Sequence, residues 1–379
     1  MKQGDIVNQK WKVEERVGKG TFCELFRAVD LESGDSVAVK VEAGGMQNSV
    51  LKWENEVVKA LQDLPNVPRH LHFGRHDSND VMVMELLAGE DMSALRRHTP
   101  LSKDTAGLQR KGGLPLGVCC HLALQMLECL KGMHSKGYLH RDVKPANFVR
   151  RVKGGKDFVI IDFGLAKQFR SPSGDMRAER DRAEFRGTSM YASLACHENK
   201  DQCRRDDLWS LLYVFFDLYL GKLPWAEQVK KKNKEAVAQL KRKYLEGKES
   251  FTDDMGVNIS CALAESQLKA LKWDEEPNYD ALAAIFQDIR RGMSEEEKAE
   301  EKAFPWAQAY IQGDGELQAV SPPHPEAVAS PGEEEEEEDP KRKEWQSNLL
   351  KIRGDTQPPP AAKPCTGQQE ADESEPPGE

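Results

Sequence analysis

The chain has 379 residues, enough for two lobes and a tail at about 100 to 200 residues per domain, and its formal net charge is −10. That charge is uneven: from Gly313 onward 17 Asp and Glu face 6 Lys and Arg, which leaves 47 acidic and 48 basic residues in 1–312. A near-neutral body gives no electrostatic case for nucleic-acid binding. The eight cysteines, at 23, 119, 120, 129, 196, 203, 261 and 365, include no pair of C-x-x-C elements, so a zinc cage is not expected and reduced intracellular thiols are. The N-terminus has no apolar run of signal-peptide length, and the most apolar stretch, 208–220, is too short to span a bilayer, which needs about 20 residues. A cytoplasmic or nuclear protein that does not engage membrane is expected.

Residues 11–40 alternate short apolar runs with glycines, the pattern of antiparallel strands joined by tight turns. Gly18 and Gly20 would let backbone amides approach phosphate oxygens, while Val17, Leu25 and Ala38 could sandwich an adenine ring. Two glycines in a hairpin also suit a plain turn; Lys40, ending Val-Ala-Val-Lys at the spacing that follows, favours the phosphate reading. Over Ser49 to Leu64, apolar residues at 50, 53, 57, 58 and 61 recur with a helical period, and Pro65 and Pro68 stop it. A glutamate on this helix, Glu54 or Glu56, would hold Lys40 against nucleotide phosphates, although either could be an ordinary solvated charge. Residues 81–89 read as a strand running into an extended segment. Residues 99–114 are polar and glycine-containing and are expected to form an inserted surface loop.

Helical periodicity returns from Leu116 to Ser135, with Leu122, Met126, Leu130 and Met133 facing inward. The helix leads into His140-Arg-Asp-Val-Lys-Pro-Ala-Asn147, which sets a carboxylate (Asp142), a cation (Lys144) and a carboxamide (Asn147) in one loop. That set can seat a hydroxyl, a transferring phosphate and a metal. A strand from Phe158 then ends in Asp162-Phe-Gly, where Asp162 offers a hard oxygen to Mg²⁺ and Asn147 the second metal position.

These strings resemble eukaryotic protein kinases, and specifically the casein kinase I group. Gly187-Thr-Ser-Met-Tyr-Ala-Ser193 is similar to that group's substitute for the usual A-P-E closure, and 204–211 resembles its next helix, in which Asp207 would brace the catalytic loop. Gly221 to Trp225 and Pro277 to Leu282 are further matches, and 174–178 with 185–188 look most like the tau-tubulin kinase branch. The resemblance covers roughly 9–308. It implies an α+β bilobal fold: a small β-rich N-lobe with one helix (11–86), a hinge at 85–89 and a larger, mostly helical C-lobe (90–308). Residues 1–10 would be an N-terminal extension and 309–379 an acidic, Pro- and Glu-rich disordered tail.

The same resemblance implies ATP and Mg²⁺ as cofactors. Glu54 becomes the preferred partner of Lys40 by its distance to the helix end. Met84 guards the pocket behind the adenine, and Glu85 and Leu87 read its edge through backbone groups. Lys144, two places after Asp142, indicates Ser/Thr acceptors. Protein substrates, acidic or cytoskeletal, and a monomeric state are implied. A pseudokinase or ATP-binding scaffold is the alternative; its usual sign is loss of metal or base residues, and Lys40, Asp142, Asn147 and Asp162 are all present.

Two departures stand out. Cys23 replaces the third glycine of the phosphate loop, so reduced but not absent activity is expected. Met190 occupies a position where casein kinase I relatives usually carry an arginine that holds a phosphate on a primed substrate, which weakens primed recognition. The basic residues at 230–232, 234 and 241–243 suggest acidic or phosphorylated acceptors, or else a solvated helical face with partners such as Glu235. Arg141 could pair with a phosphate on Ser171, Ser173 or Thr188, although the resemblance implies that none is required. In the tail, Trp345, Leu349 and Ile352 could form a docking helix, and the glutamates at 333–338 could compete for a basic substrate groove.

Overall fold

Strand-forming residues at the N-terminus build one six-stranded antiparallel sheet in the order β1-β2-β3-β4-β6-β5: Ile6–Val7, Trp11–Lys19, Cys23–Asp30, Ser36–Glu42, His70–His76 (β5) and Asn79–Glu85 (β6). The computed structural model describes residues 1–20, 23–42, 49–98, 113–152, 155, 157–171, 173–249, 251 and 264–304, all within the unit Met1–Gln318. The expectations for the tail therefore lie outside the described residues, as do those for 99–112. Val37, Val39 and Val41 of β4 turn to one face and join Val7, Trp11, Val13, Phe26, Val81 and Val83 in a core. By strand alternation Ala38 and Lys40 turn to the other face, which is the one the site uses. The extension ahead of Trp11 is part of this sheet, because Ile6 and Val7 pair with Lys12 and Trp11, and Val7 is buried.

Helix α1, Val50–Ala60, is held at its N-terminus by β4. Glu42, two residues past Lys40, accepts the N–H groups of Val50 (3.0 Å) and Leu51 (3.2 Å), and the Ser49 hydroxyl both donates to Glu42 and accepts from Lys52 N–H at 3.0 Å. A carboxylate on these unpaired helical N–H groups is the favoured arrangement. The helix stops at Ala60, short of the expected Leu64, with Leu61 buried as its C-cap.

The second lobe is helical. After α2 (Met92–His98) come α3 (Leu116–Ser135), α4 (Leu194–His197), α5 (Arg204–Leu220), α6 (Ala226–Lys230), α7 (Lys234–Leu245), α8 (Tyr279–Gly292) and α9 (Glu295–Ala303). Leu122, Met126, Leu130 and Met133 of α3 are fully buried, as expected. α5 is buried at every position except Arg205 and Leu220 and forms the spine of the lobe, ending at Gly221 with φ 77°. Short strands β7 (Tyr138–Leu139), β8 (Phe148–Arg150), β9 (Phe158–Ile160) and β10 (Lys167–Gln168) carry the loops of the site. No helix among the described residues is long and apolar enough to cross a membrane.

Two expectations need correction. The surface loop placed over 99–114 does not include its last two residues: Leu114 is buried and donates its N–H to Leu218 O at 2.7 Å, clamping the chain to the end of α5. The basic stretch 230–243 is not one helical face, since α6 ends at Lys230 and the Asn233 side chain caps α7 by accepting from Ala236 N–H. Lys231 and Glu235 thus belong to different elements, and Lys241 is wholly buried rather than solvated.

Candidate active site

A carboxylate behind the loop shapes the segment that follows β7. Asp207, in the first turn of α5, accepts the N–H groups of His140 and Arg141 on its two oxygens, each at 2.8 Å, and lies 2.9 Å from His134 Nε2. These bonds hold Arg141 at φ 66°, a left-handed conformation that a long side chain adopts only when its surroundings enforce it. Burial pushes the Asp207 pKa up, but His134 and His140 outweigh it and keep the carboxyl below its usual range.

Asp142 comes next and is almost buried, with each oxygen engaged. Oδ1 accepts from Thr188 N–H (2.8 Å) and Thr188 Oγ1 (2.7 Å); Oδ2 accepts from Lys144 Nζ at 2.8 Å. The Asn147 amide NH₂ is donated to the Asp142 backbone carbonyl at 2.8 Å, so its remaining hard oxygen is the end available to a cation. Gly187 packs against this loop at φ 94°; a Cβ there would collide with Arg141 O. The expected loop thus has its three functional groups side by side, oriented from behind by α5 and from the front by the 187–188 segment.

The opposite wall comes from the first lobe. Lys40 Nζ lies 2.8 and 2.7 Å from the two oxygens of Glu54 and 3.4 Å from Asp162 Oδ1. Glu54 is buried whereas the Glu56 side chain is 66 % exposed, which decides between the two candidates. Burial lowers the Lys40 pKa, yet the Glu54 and Asp162 carboxylates more than offset this and hold the ammonium charged. Asp162 sits at φ 66° with its side chain 47 % exposed toward the cleft. Partial burial opposes its ionisation, but Lys40, His140 and Lys144 outweigh that effect and keep the carboxyl below its usual range. Phe163 is buried beside His140, with ring centroids 5.8 Å apart.

Register places the remaining expected residues along the same face. Gly18 pairs with Leu25, Leu25 with Lys40, and Ala38 with Met84. Gly20 N–H closes a turn onto Cys23 O at 2.8 Å, and Val17 is about half exposed beside it. After Glu85 and Leu87, the N–H groups of Ala88 and Gly89 donate to Arg151 O and Arg150 O, each at 3.1 Å, joining the strand to the second lobe. Burial pushes the Cys23 thiol up to about 12.

Residues 11–277 match the family model described as the protein kinase domain. The chain belongs to the protein kinase family. The chain is similar to a probable serine/threonine-protein kinase of Dictyostelium discoideum, 36 % identical over 307 residues, which cover 80 % of this chain and 57 % of that protein. A putative serine/threonine-protein kinase of Caenorhabditis elegans is 29 % identical over 299 residues, covering 76 % of this chain and 80 % of the relative. A putative casein kinase I of the same organism is 32 % identical over 230 residues, or 59 % of this chain and 63 % of the relative. The chain thus spans little more than half the length of the first of these curated relatives.

Several contacts of the site escape sequence reading. Thr188 is a hydrogen-bond partner of Asp142 rather than a free hydroxyl near Arg141. Arg141 donates Nε to Leu165 O at 2.8 Å, and burial beside Arg186 and Arg180 brings its pKa down to about 9. Ser171 and Ser173 bond to each other at 2.6 Å, and Ser173 donates to Asp175. A buried carboxylate, Asp201, sits among the cations instead: Lys167 Nζ reaches it at 2.7 Å and Arg180 Nη2 at 2.8 Å. Only the positions of basic residues in the sequence hint at such a cluster.

Proposed function

We propose that the protein is a serine/threonine kinase of casein kinase I type, nearest the tau-tubulin kinase branch, that transfers the γ-phosphoryl group of ATP to Ser or Thr hydroxyls of protein substrates. The observation that carries this reading is the facing pair of sites: Asp142 with Lys144 on one wall, Lys40 with Glu54 and Asp162 on the other. Val17, Leu25, Ala38 and Met84 would enclose the adenine, with backbone groups of Glu85 and Leu87 on its edge. Backbone amides near Gly18 and Gly20 together with Lys40 would hold the phosphates. Cys23, in place of a third glycine, would loosen the fit over the nucleotide and reduce activity without abolishing it.

The residues present fit a hard divalent cation. Asp162 is ionised and half exposed toward the cleft, and Asn147 has committed its NH₂ end elsewhere, so both offer oxygen. When bound, Mg²⁺ would neutralise the phosphate charge that develops as the terminal bond breaks. Asp142, whose Oδ1 is fixed by Thr188, orients the acceptor hydroxyl and takes its proton. Lys144 stabilises the transferring group. With all four of Lys40, Asp142, Asn147 and Asp162 in bonding positions, nothing favours a catalytically silent scaffold.

An open cleft of about 450 Å³ beside the loop is lined by Arg96, Arg97, Lys222 and Lys230 as well as Asp217, Pro145 and Met190; Arg96 pairs with Asp217 and both lysines with Glu227, so the basic excess that would favour acidic acceptors is modest. The apolar Met190 in that wall argues against a primed phosphate at this point. The catalytic domain extends to about residue 308, in keeping with Phe304 being packed in the core of the second lobe. The test is transfer from radiolabelled ATP to an acidic protein: Asp142→Asn is expected to lose about 10²- to 10⁴-fold in kcat with nucleotide affinity near that of the parent. Full turnover by this variant would sink the assignment.

A further inference from the structure

Lys241 has no part in the reaction described so far, yet it is the most deeply buried charged side chain of the protein among the described residues, with no measurable exposure. Burial pulls the Lys241 pKa well below the ordinary lysine range, and a buried amine is costly unless its N–H groups are engaged, so a lysine rather than a methionine at this point calls for a reason. Its surroundings supply one. Nζ donates to Ser189 O at 3.0 Å and to Ala192 O at 2.6 Å, and lies 3.3 Å from His197 Nε2, which is itself 3.2 Å from Ser189 O. The rings of Tyr213 and Trp225 flank it with centroids at 4.9 and 5.0 Å. Trp225 Nε1 in turn donates to Met190 O at 2.8 Å.

The carbonyls of Ser189, Met190 and Ala192 are therefore all pinned from beneath by α7 and the residue ahead of α6. On its upper side the same segment presents Met190 and Tyr191 to the open cleft beside Pro145, with the Tyr191 hydroxyl donating to Asp217 Oδ2 at 2.8 Å. Its first neighbour in sequence, Thr188, holds Asp142. We infer that Lys241 is a positioning residue for the protein acceptor: it fixes the 189–192 segment as the wall on which an acceptor peptide lies next to the Asp142 carboxylate. The inference rests on the reading of Asp142 as the group that orients the acceptor. Lys241 acts through backbone carbonyls and touches neither nucleotide nor acceptor.

The full chain carries the test, with an acidic peptide containing one serine as acceptor. Lys241→Met, which keeps the volume and removes the donors, is expected to raise the peptide KM about tenfold or more while the KM for ATP stays within about twofold, since the Lys40 wall is untouched. Trp225→Phe, which loses one donor to the same segment, is expected to move peptide KM in the same direction by less. A general loss of fold would instead lower kcat in step with the folded fraction and leave both KM values alone. That pattern, or a peptide KM equal to that of the parent, overturns the inference. If Lys241→Met does not fold, Trp225→Phe decides by the same criterion. Asp142→Asn run in parallel separates the two levels: its loss is expected in kcat alone, and full turnover would remove the reading of the base without altering what the Lys241 variant reports.

Discussion

Asp142 has its two oxygens engaged on different sides, Oδ1 by Thr188 and Oδ2 by Lys144 with Asn147 at 3.5 Å. The carboxylate is thus oriented by the chain itself, which is what the proposed role of a positioned base would require. Cys23 makes the opposite case. It stands in the turn where a thiol near a cation might be thought reactive, but burial pushes its pKa up to about 12 in spite of Lys40. At pH 8 its thiolate fraction is on the order of 10⁻⁴, so iodoacetamide should modify Cys23 far more slowly in the native protein than in the unfolded chain. Peptide mass spectrometry over a time course checks this, and rapid native labelling would contradict it. Asp142, Lys144, Asn147 and Asp162 were legible in the sequence because each sits in a contiguous string whose spacing the chemistry dictates. Thr188 was not legible as their partner, since its contact with Asp142 crosses 46 residues and depends on the left-handed turn at Gly187.

At the level of elements, β4 acts on α1 at two points, through Lys40 on Glu54 and through Glu42 on the helix N-terminus. Ser49→Ala removes the capping oxygen for Lys52 N–H and the hydroxyl on Glu42, at a cost of about 1 kcal/mol. Because Glu54 rides on the same helix, the KM for ATP should rise along with the fall in Tm; steady-state kinetics at several ATP concentrations measure the first and calorimetry the second. The chain from β10 to the start of α5 is gathered by Asp201 in a comparable way. Burial raises its pKa, but hydrogen bonds from Arg180 and Lys167 prevail and bring it to about 2. The folded value lies below the unfolded one of about 4, so this group stabilises the fold fully above pH about 4 and ceases to do so as pH falls toward 2. Asp201→Asn should therefore be less stable than the parent at pH 7 by on the order of 2 kcal/mol and should flatten the acid limb of a stability-against-pH curve. Equal acid limbs would discount the cluster. The periodicity of 116–135 gave α3 to the residue, whereas the break between α6 and α7 was hidden, because a run of lysines reads equally well as one face of a longer helix.

At the scale of the folded unit the two lobes share a core, since Val57, Val58, Leu61 and Val67 pack in the same cluster as the helices of the second lobe, and polar contacts add to it. Arg151 reaches Glu85 at 3.3 Å and Pro65 O at 2.7 Å, Ile160 N–H donates to Asn66 O at 3.0 Å, and Trp53 Nε1 on α1 donates to Ala166 O at 3.0 Å. A nucleotide with its metal would bind both walls at once and only in the folded state, which adds about 2.7 kcal/mol at a hundredfold excess over Kd. Thermal shift should thus show stabilisation by MgATP that a chelator largely removes, and Asp162→Asn should lose that sensitivity to the chelator. A parent protein indifferent to MgATP would count against the cleft as a nucleotide site. The bilobal order of elements was readable from strand and helix periods and from resemblance, but the small strand Ile6–Val7 was not, being too short to carry a pattern of its own.

Gly187 and Gly174 both have positive φ, at 94° and 91°, yet a Cβ on the first would strike the backbone of Arg141 while one on the second would meet nothing within 4 Å. In genetic terms they are unequal targets. A missense codon at 187 has to move the loop away from Arg141 O and Asp142 and, on the proposed role of Asp142, is expected among loss-of-function alleles. Codons at 174 carry only a backbone penalty of about 1 kcal/mol and belong with weak, temperature-dependent alleles.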